Sequence, residues 1–222
     1  MNTSAQHNVC FHGVGVPGRE QEPGEDLYWV DTDRFRRILD ELAGWPQVRI
    51  SFDDGNASDL GIALPELSAR GLTATFFVLA GRLDTPGSLG ARDVRALGEQ
   101  GMSVGSHGMA HRPWPGLDDA ALHEELVTAR EVISAAAGQP VSEAACPLGR
   151  YDRRVLSQLR RLGYRTVHTS DRACAPEGAW MQPRFSVRRD DTPESLRATV
   201  LAPPGPVTVL RGQAVRLLKR LR

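Results

Sequence analysis

Lysine is almost missing from this chain. Lys219 is the only one, so arginine supplies the rest of the 27 basic residues, which balance 27 acidic ones to a formal net charge of zero. That balance excludes recognition of nucleic acid through a broad positive field. Cysteine is scarce as well. Cys10, Cys146 and Cys174 are odd in number, widely spaced and form no C-x-x-C pair, which excludes a disulfide framework and fits reduced thiols. No apolar run approaches the roughly 20 residues that cross a bilayer. Residues 1–9 lack the positive start and apolar stretch of a secretory signal, so the expected location is the cytoplasm. Histidine is the scarcity that bears most on chemistry: there are six, and none follows His168.

What is present is a regular alternation. With 41% hydrophobic residues in 222, the chain can bury a substantial core, and one domain spanning 1–222 is expected. Short β-rich runs at 9–14, 48–52, 74–79, 103–106, 143–146, 165–169, 185–188 and 207–210 are predicted strands. Between them, helical periodicity covers 33–43, 58–70, 91–100, 118–136, 153–162 and 193–200. Asp118 reads as an N-cap, and Gly71, Gly101, Gly138 and Gly163 follow helix ends. Strands and helices alternating in this way predict the α/β class. Seven or eight such units close most naturally into a (β/α)7-8 barrel, with an open doubly wound sheet as the alternative.

Two motifs carry chemistry. Ser51-Phe52-Asp53-Asp54-Gly55 ends one strand with adjacent carboxylates, and His107-Gly108-Met109-Ala110-His111 places two imidazoles four apart after another. Together they hold three hard or borderline ligands and a spare acid, the inventory of a hydrolytic metal site. Each motif alone has an ordinary reading: a strand-to-helix turn with Asn56 or Ser58 as cap, and a surface histidine pair. Their shared position favours the site. Asp53, Asp54, His107, the Pro147–Gly149 turn and Ser170-Asp171 all follow predicted strands, and the carboxyl ends of barrel strands meet on one face.

From about Cys10 to Val200 the chain resembles the NodB-homology polysaccharide deacetylases, carbohydrate esterase family four. Besides the two motifs, Thr75-Phe76-Phe77-Val78 is similar to that family's A-T-F-F-V strand. Pro147-Leu148-Gly149 with Tyr151-Asp152 is similar to its P-x-G-x-Y-D motif. The resemblance implies a distorted β/α barrel and a metal-dependent hydrolase that removes an N-acetyl group from an amino sugar. It implies Asp54, His107 and His111 as metal ligands and Asp53 as general base, with a backbone N–H near Leu148 stabilising the oxyanion. Two imidazoles and a carboxylate suit Zn²⁺ first, with Co²⁺, Ni²⁺ or Fe²⁺ also acceptable.

Two departures stand out. Ala145 occupies the place where the best-known form of the third motif has an arginine that orients the base. Arg184 in Gln182-Pro183-Arg184-Phe185 is a candidate replacement, with a surface arginine as the alternative. The histidine of the family's late motif is also missing. Asp53 itself, His12 or His168 is then the candidate acid, although His168 reads first as a buried residue. Trp114 and Asp171 are candidate sugar contacts, Trp114 having core packing and Asp171 a bond to Arg184 as alternatives. Residues 211–222 form a basic amphipathic stretch, read as helix covering a core, with contact to an anionic membrane surface as the alternative. The expected partner is an N-acetylated carbohydrate and not nucleic acid. The competing functions are a retired family member that binds carbohydrate without turnover, and a metal amidohydrolase acting on a non-sugar amide.

Overall fold

The computed structural model describes residues 5–201. The chain starts with β1 (Ala5–Phe11), β2 (Gly13–Val14), β3 (Trp29–Val30), α1 (Thr32–Leu42) and β4 (Val48–Asp54). It continues through α2 (Leu64–Ser68), β5 (Ala74–Val78), α3 (Ala91–Glu99), β6 (Ser103–Ser106), α4 (Asp119–His123), α5 (Ala129–Ala137) and β7 (Glu143–Ala145). Then follow α6 (Arg153–Arg161), β8 (Thr166–Thr169), β9 (Ala175–Pro176), β10 (Met181–Pro183), β11 (Phe185–Ser186) and α7 (Pro193–Val200).

Eight strands pair in parallel in the order β10-β8-β7-β6-β5-β4-β1-β11, and β9 adds antiparallel to β1. The two ends of that order, β10 and β11, are separated in the chain only by Arg184. A single extended segment, 181–186, thus pairs with β8 through its first half and with β1 through its second. It nearly closes the sheet into a distorted β/α barrel. Below the switch, where Pro183 has no N–H to give, the Asn8 side chain stitches the seam by donating to Gln182 Oε1 (2.8 Å) and Pro183 O (3.0 Å).

Alternation along the strands sorts the side chains into two layers. Phe11, Phe52 and Phe76 are register partners on adjacent strands. Their rings stack at 5.3 and 4.8 Å, and Phe35 of α1 meets Phe11 edge-on at 5.1 Å. These rings lie between sheet and helices, in the main core. The intervening positions face inward, where Asn8, Ser51, Asp53, His168, Gln182 and Arg184 are all buried. Phe77 shares that interior, and its ring fills the space that a side chain at Gly105 would take: a Cβ there would lie 2.4 Å from the ring.

The predicted strand at 9–14 is broken in the structure. β1 starts earlier, at Ala5, and stops at Phe11; β2 then leaves the barrel to pair with β3. Gly13 permits this because a Cβ there would lie 2.2 Å from the Trp29 ring. The predicted helices at 58–70 and 118–136 each contain a wide turn of π geometry, Asp59–Ala63 and Glu124–Thr128. The predicted strand at 207–210 and the basic stretch 211–222 lie outside the described residues. Among the described residues no helix is long and apolar enough to cross a membrane.

Candidate functional site

Neighbouring residues of a strand point to opposite faces, yet Asp53 and Asp54 are both buried beside the same imidazole. Asp54 achieves this with a left-handed backbone, φ +77°, followed by Gly55 at +67°. The turned chain brings Asp54 Oδ1 to 3.6 Å from His107 Nε2, while Asp53 Oδ2 stays 3.8 Å from that same atom. His111 also has positive φ, +49°, and sets its Nε2 3.4 Å from Asp54 Oδ1. Sparsely populated backbone of this kind costs about 1–3 kcal/mol per residue and gathers at functional sites.

The two carboxylates differ in their partners. Asp53 receives both prongs of the Arg184 guanidinium, at 2.6 and 2.7 Å. Arg184 Nη1 also donates to Ser51 Oγ at 3.0 Å. Burial pushes the Asp53 carboxyl up, but the charges of Arg184 and His107 outweigh it and hold the group far below the usual carboxylate range. Burial likewise opposes ionisation of Asp54, and the surrounding imidazoles His111, His12 and His107 overcome it. Neither Asp54 oxygen has a hydrogen-bond donor. A fully buried carboxylate with both oxygens unpartnered is what a cation site leaves when only protein is counted.

Geometry agrees with that reading. Two bonds of about 2.0–2.1 Å meeting at a tetrahedral angle span about 3.3–3.4 Å, close to the Asp54–histidine separations. One atom each from Asp54, His107 and His111 lie within 4.8 Å of one another. Both imidazoles are held by the far nitrogen, His107 Nδ1 by Ala145 O at 2.9 Å and His111 Nδ1 by Glu22 Oε2 at 2.7 Å. That arrangement turns both Nε2 atoms toward Asp54 as acceptors, the orientation that a ligand needs. The donor set fits a divalent cation.

The loop between the histidines rests on Glu125, which projects from the wide turn Glu124–Thr128 and is completely buried. It accepts from Met109 N (2.7 Å), Arg112 Nε (2.7 Å) and Trp114 Nε1 (3.3 Å). Gly108 must lack a side chain here: at φ +88° its Cβ would lie 2.3 Å from Glu125 Oε2.

The other candidates divide. His12, at the break between β1 and β2, packs against Tyr28 with ring centroids 4.9 Å apart and planes tilted by 33°. Its Nδ1 is buried without a partner, and ligating atoms of Cys10, His12 and Asp53 lie within 4.8 Å of one another. Leu148 adopts φ +55° in the Pro147–Gly149 turn, with 56% of the residue exposed. Gly149 lets that turn approach Ser170, 2.7 Å from where a Cβ would stand. Two expectations are corrected. Trp114 is completely buried in the second core cluster and presents no face to a sugar. His168 bonds Glu143 at 2.9 Å and packs on Phe77. Since Glu143 opens β7, this bond turns the His168 ring to the amino end of the barrel, and His168 is a buried packing residue rather than the acid. Asp171 accepts from Tyr151 Oη (2.7 Å) and Thr169 Oγ1 (2.9 Å).

A family profile described as polysaccharide deacetylase matches residues 43–167, more than half of the chain. The chain belongs to the polysaccharide deacetylase family. Among curated relatives, it is 28% identical over 137 residues to the chitooligosaccharide deacetylase of a Bradyrhizobium strain, covering 61% of each protein. It is 25% identical over 141 residues, 64% of this chain, to Bacillus subtilis YxkH, which is provisionally named a polysaccharide deacetylase. The chain spans 50% and 61% of the length of YxkH and the Bradyrhizobium enzyme, respectively. Its fold matches the Streptococcus pyogenes deacetylase PplD, solved in complex with acetate. The TM-score is 0.78 at 21% identity, covering 91% of this chain and 100% of that one. A polysaccharide deacetylase from Bacillus cereus matches with a TM-score of 0.77 at 18% identity, covering 89% and 69%.

For a member of this family the origin of the site residues is informative. Asp53, Asp54, His107, His111 and Leu148 fall inside the matched stretch 43–167, whereas His12, Glu22 and Arg184 lie outside it. Sequence reasoning missed Glu22 and Glu125. Glu22 is one of several acids in a polar loop, with Glu20, Glu25 and Asp26, and Glu125 is likewise one of several acids on a helix, so neither carries a local signal. Only the position of Glu125 on the apolar side, between Leu122, Leu126 and Ala129, marked it.

Proposed function

We propose that this chain is a metal-dependent hydrolase that removes the N-acetyl group from an amino sugar in a glycan, glycolipid or sugar conjugate and releases acetate. The observation that carries this reading is the division of labour within one adjacent pair: Asp53 is clamped by Arg184 and Asp54 is left unpartnered beside two Nε2 atoms. Asp54, His107 and His111 would hold the cation, with Zn²⁺ as the first candidate. Such a cation supplies a Lewis acid and lowers the pKa of water toward roughly 7.

The remaining steps fall to this chain's own groups. Asp53, kept ionised by Arg184, takes a proton from the water whose oxygen adds to the acetyl carbon. The backbone N–H of Leu148, on its exposed left-handed turn, donates to the developing oxyanion. His12 gives a proton to the leaving nitrogen as the carbon–nitrogen bond breaks, so one water is consumed and acetate and a free amine result. The unpartnered Nδ1 of His12 and its closeness to Asp53 favour it over His168. Arg184 does from the closing strand what Ala145 cannot do from β7.

Acetate release from a panel of N-acetylated sugars tests the proposal, with metal content measured in parallel. The parent protein should turn over at least one of them. Asp53→Asn should lose about 10²–10⁴-fold in kcat while keeping about one equivalent of metal. Metal binding by the parent without acetate release from any sugar would favour the carbohydrate-binding alternative, and turnover of a non-sugar amide alone would favour the amidohydrolase.

A further inference from the structure

The segment between β2 and β3, residues 15–28, crosses the carboxyl-end face as a strap anchored at both ends. Trp29 Nε1 donates to Gly15 O at 2.7 Å. Arg19 donates through Nε and Nη2 to Asn56 Oδ1, at 3.2 and 3.0 Å, and is paired with buried Glu25. Gly18 packs on Gly87 so closely that a Cβ on Gly87 would lie 2.5 Å from the Gly18 carbonyl. From this strap Glu22 reaches down to His111.

The contact is selective. Glu22 Oε2 accepts from His111 Nδ1 at 2.7 Å, while its other oxygen pairs with Arg82. Arg82 belongs to the short Ala80–Arg82 turn after β5. That turn is itself tied to the histidine loop, since Ala80 N and Gly81 N donate to Gly108 O and Met109 O, both at 3.0 Å. Glu22 is therefore fixed against the same loop that it grips. The equivalent place on His107 is taken by a neutral carbonyl, Ala145 O. Either acceptor fixes the tautomer, but the charged carboxylate bonds the imidazole N–H more strongly and so raises the basicity of the far nitrogen toward a cation.

We propose that Glu22 is a positioning residue that sets metal affinity through His111, so that a strap outside the family-matched stretch tunes the centre. The inference rests on Asp54, His107 and His111 being the metal ligands. It adds a carboxylate–imidazole–cation relay built from this chain's amino-terminal region. Partners of this kind contribute about 10–100-fold in affinity. Glu22 is 43% exposed in its side chain, which places the expectation near the lower figure.

Titrating metal-free protein with Zn²⁺ against a chromophoric chelator tests this. Parent, Glu22→Ala, Glu22→Gln, His111→Ala and the Glu22→Ala/His111→Ala double variant are compared, with thermal unfolding of each metal-free protein as the structural control. The parent should bind one equivalent. Glu22→Ala should bind about tenfold more weakly, and Glu22→Gln, which still accepts a hydrogen bond, should fall between them. In the His111→Ala background, Glu22→Ala should change affinity less than about twofold, because the relay is already cut. Parental affinity in Glu22→Ala, or an equal loss in the His111→Ala background, would overturn the role of Glu22 and leave the triad standing. Failure of the parent itself to bind Zn²⁺ would overturn the triad and the relay together.

Discussion

Asp53, Asp54 and Asp59 carry the same side chain within seven residues, and their surroundings give them three different states. Asp53 is buried and ionised because the Arg184 fork neutralises it. Asp54 is buried and ionised beside imidazoles but receives no hydrogen bond. Asp59 is buried without a counterion, and desolvation together with the charges of Asp54 and Asp53 pushes its carboxyl well above the usual range. The Asp53–Arg184 pair is the point where geometry rather than charge decides. Lysine would keep the charge but lose the planar fork that holds both carboxylate oxygens. Steady-state kinetics on Arg184→Lys should therefore show kcat reduced at least about tenfold, about 1.4 kcal/mol of lost transition-state stabilisation, with KM little changed. An unchanged kcat would mean that any nearby cation suffices.

At the scale of elements, the informative feature is where regular structure fails. β4 loses its alternation at Asp54, β1 stops at Phe11 just before His12, and the helix after the histidine loop widens at Glu124–Thr128. Wide π turns inside helices commonly mark functional positions, and this one delivers Glu125 beneath the segment 108–114. Arg112 is 38% exposed in its side chain, so its ion pair is screened and contributes little. The larger share comes from the N–H groups of Met109 and Trp114, which would lose their acceptor. Glu125→Ala should lower the unfolding free energy by about 1–3 kcal/mol, read from urea denaturation of the metal-free protein. A variant as stable as the parent would show that the wide turn does not anchor the loop.

At the scale of the whole molecule, a cation that binds the native barrel alone stabilises it by mass action. At a free concentration 100 times the dissociation constant the gain is about 2.7 kcal/mol, and a chain of this size shifts its midpoint by about 2–4 °C per kcal/mol. Adding Zn²⁺ to metal-free protein should raise the midpoint by roughly 5–10 °C. A chelator should reverse the rise, and Asp54→Ala should abolish it. An identical midpoint with and without metal would contradict a built cation site. Much of this molecule is written locally. The alternation of apolar positions determined the α/β class and favoured a barrel over an open sheet, because side-chain period follows backbone geometry whatever the neighbours are. The Asp-Asp-Gly and His-x-x-x-His motifs determined the candidate ligands, because those pairs are close along the chain. The partners of the ligands were decided only in three dimensions. Arg184 lies 131 residues from Asp53 and Glu22 lies 89 from His111, and barrel closure at 181–186 and the strap bring them together. Trp114 followed the same rule in reverse: its place in sequence, shortly after His111, suggested a sugar platform, and it is buried instead in a core cluster shared with residues of α4, α6 and β7. Local pattern fixes which groups a strand end offers, whereas a buried charge is stable only where a distant element supplies its counterion.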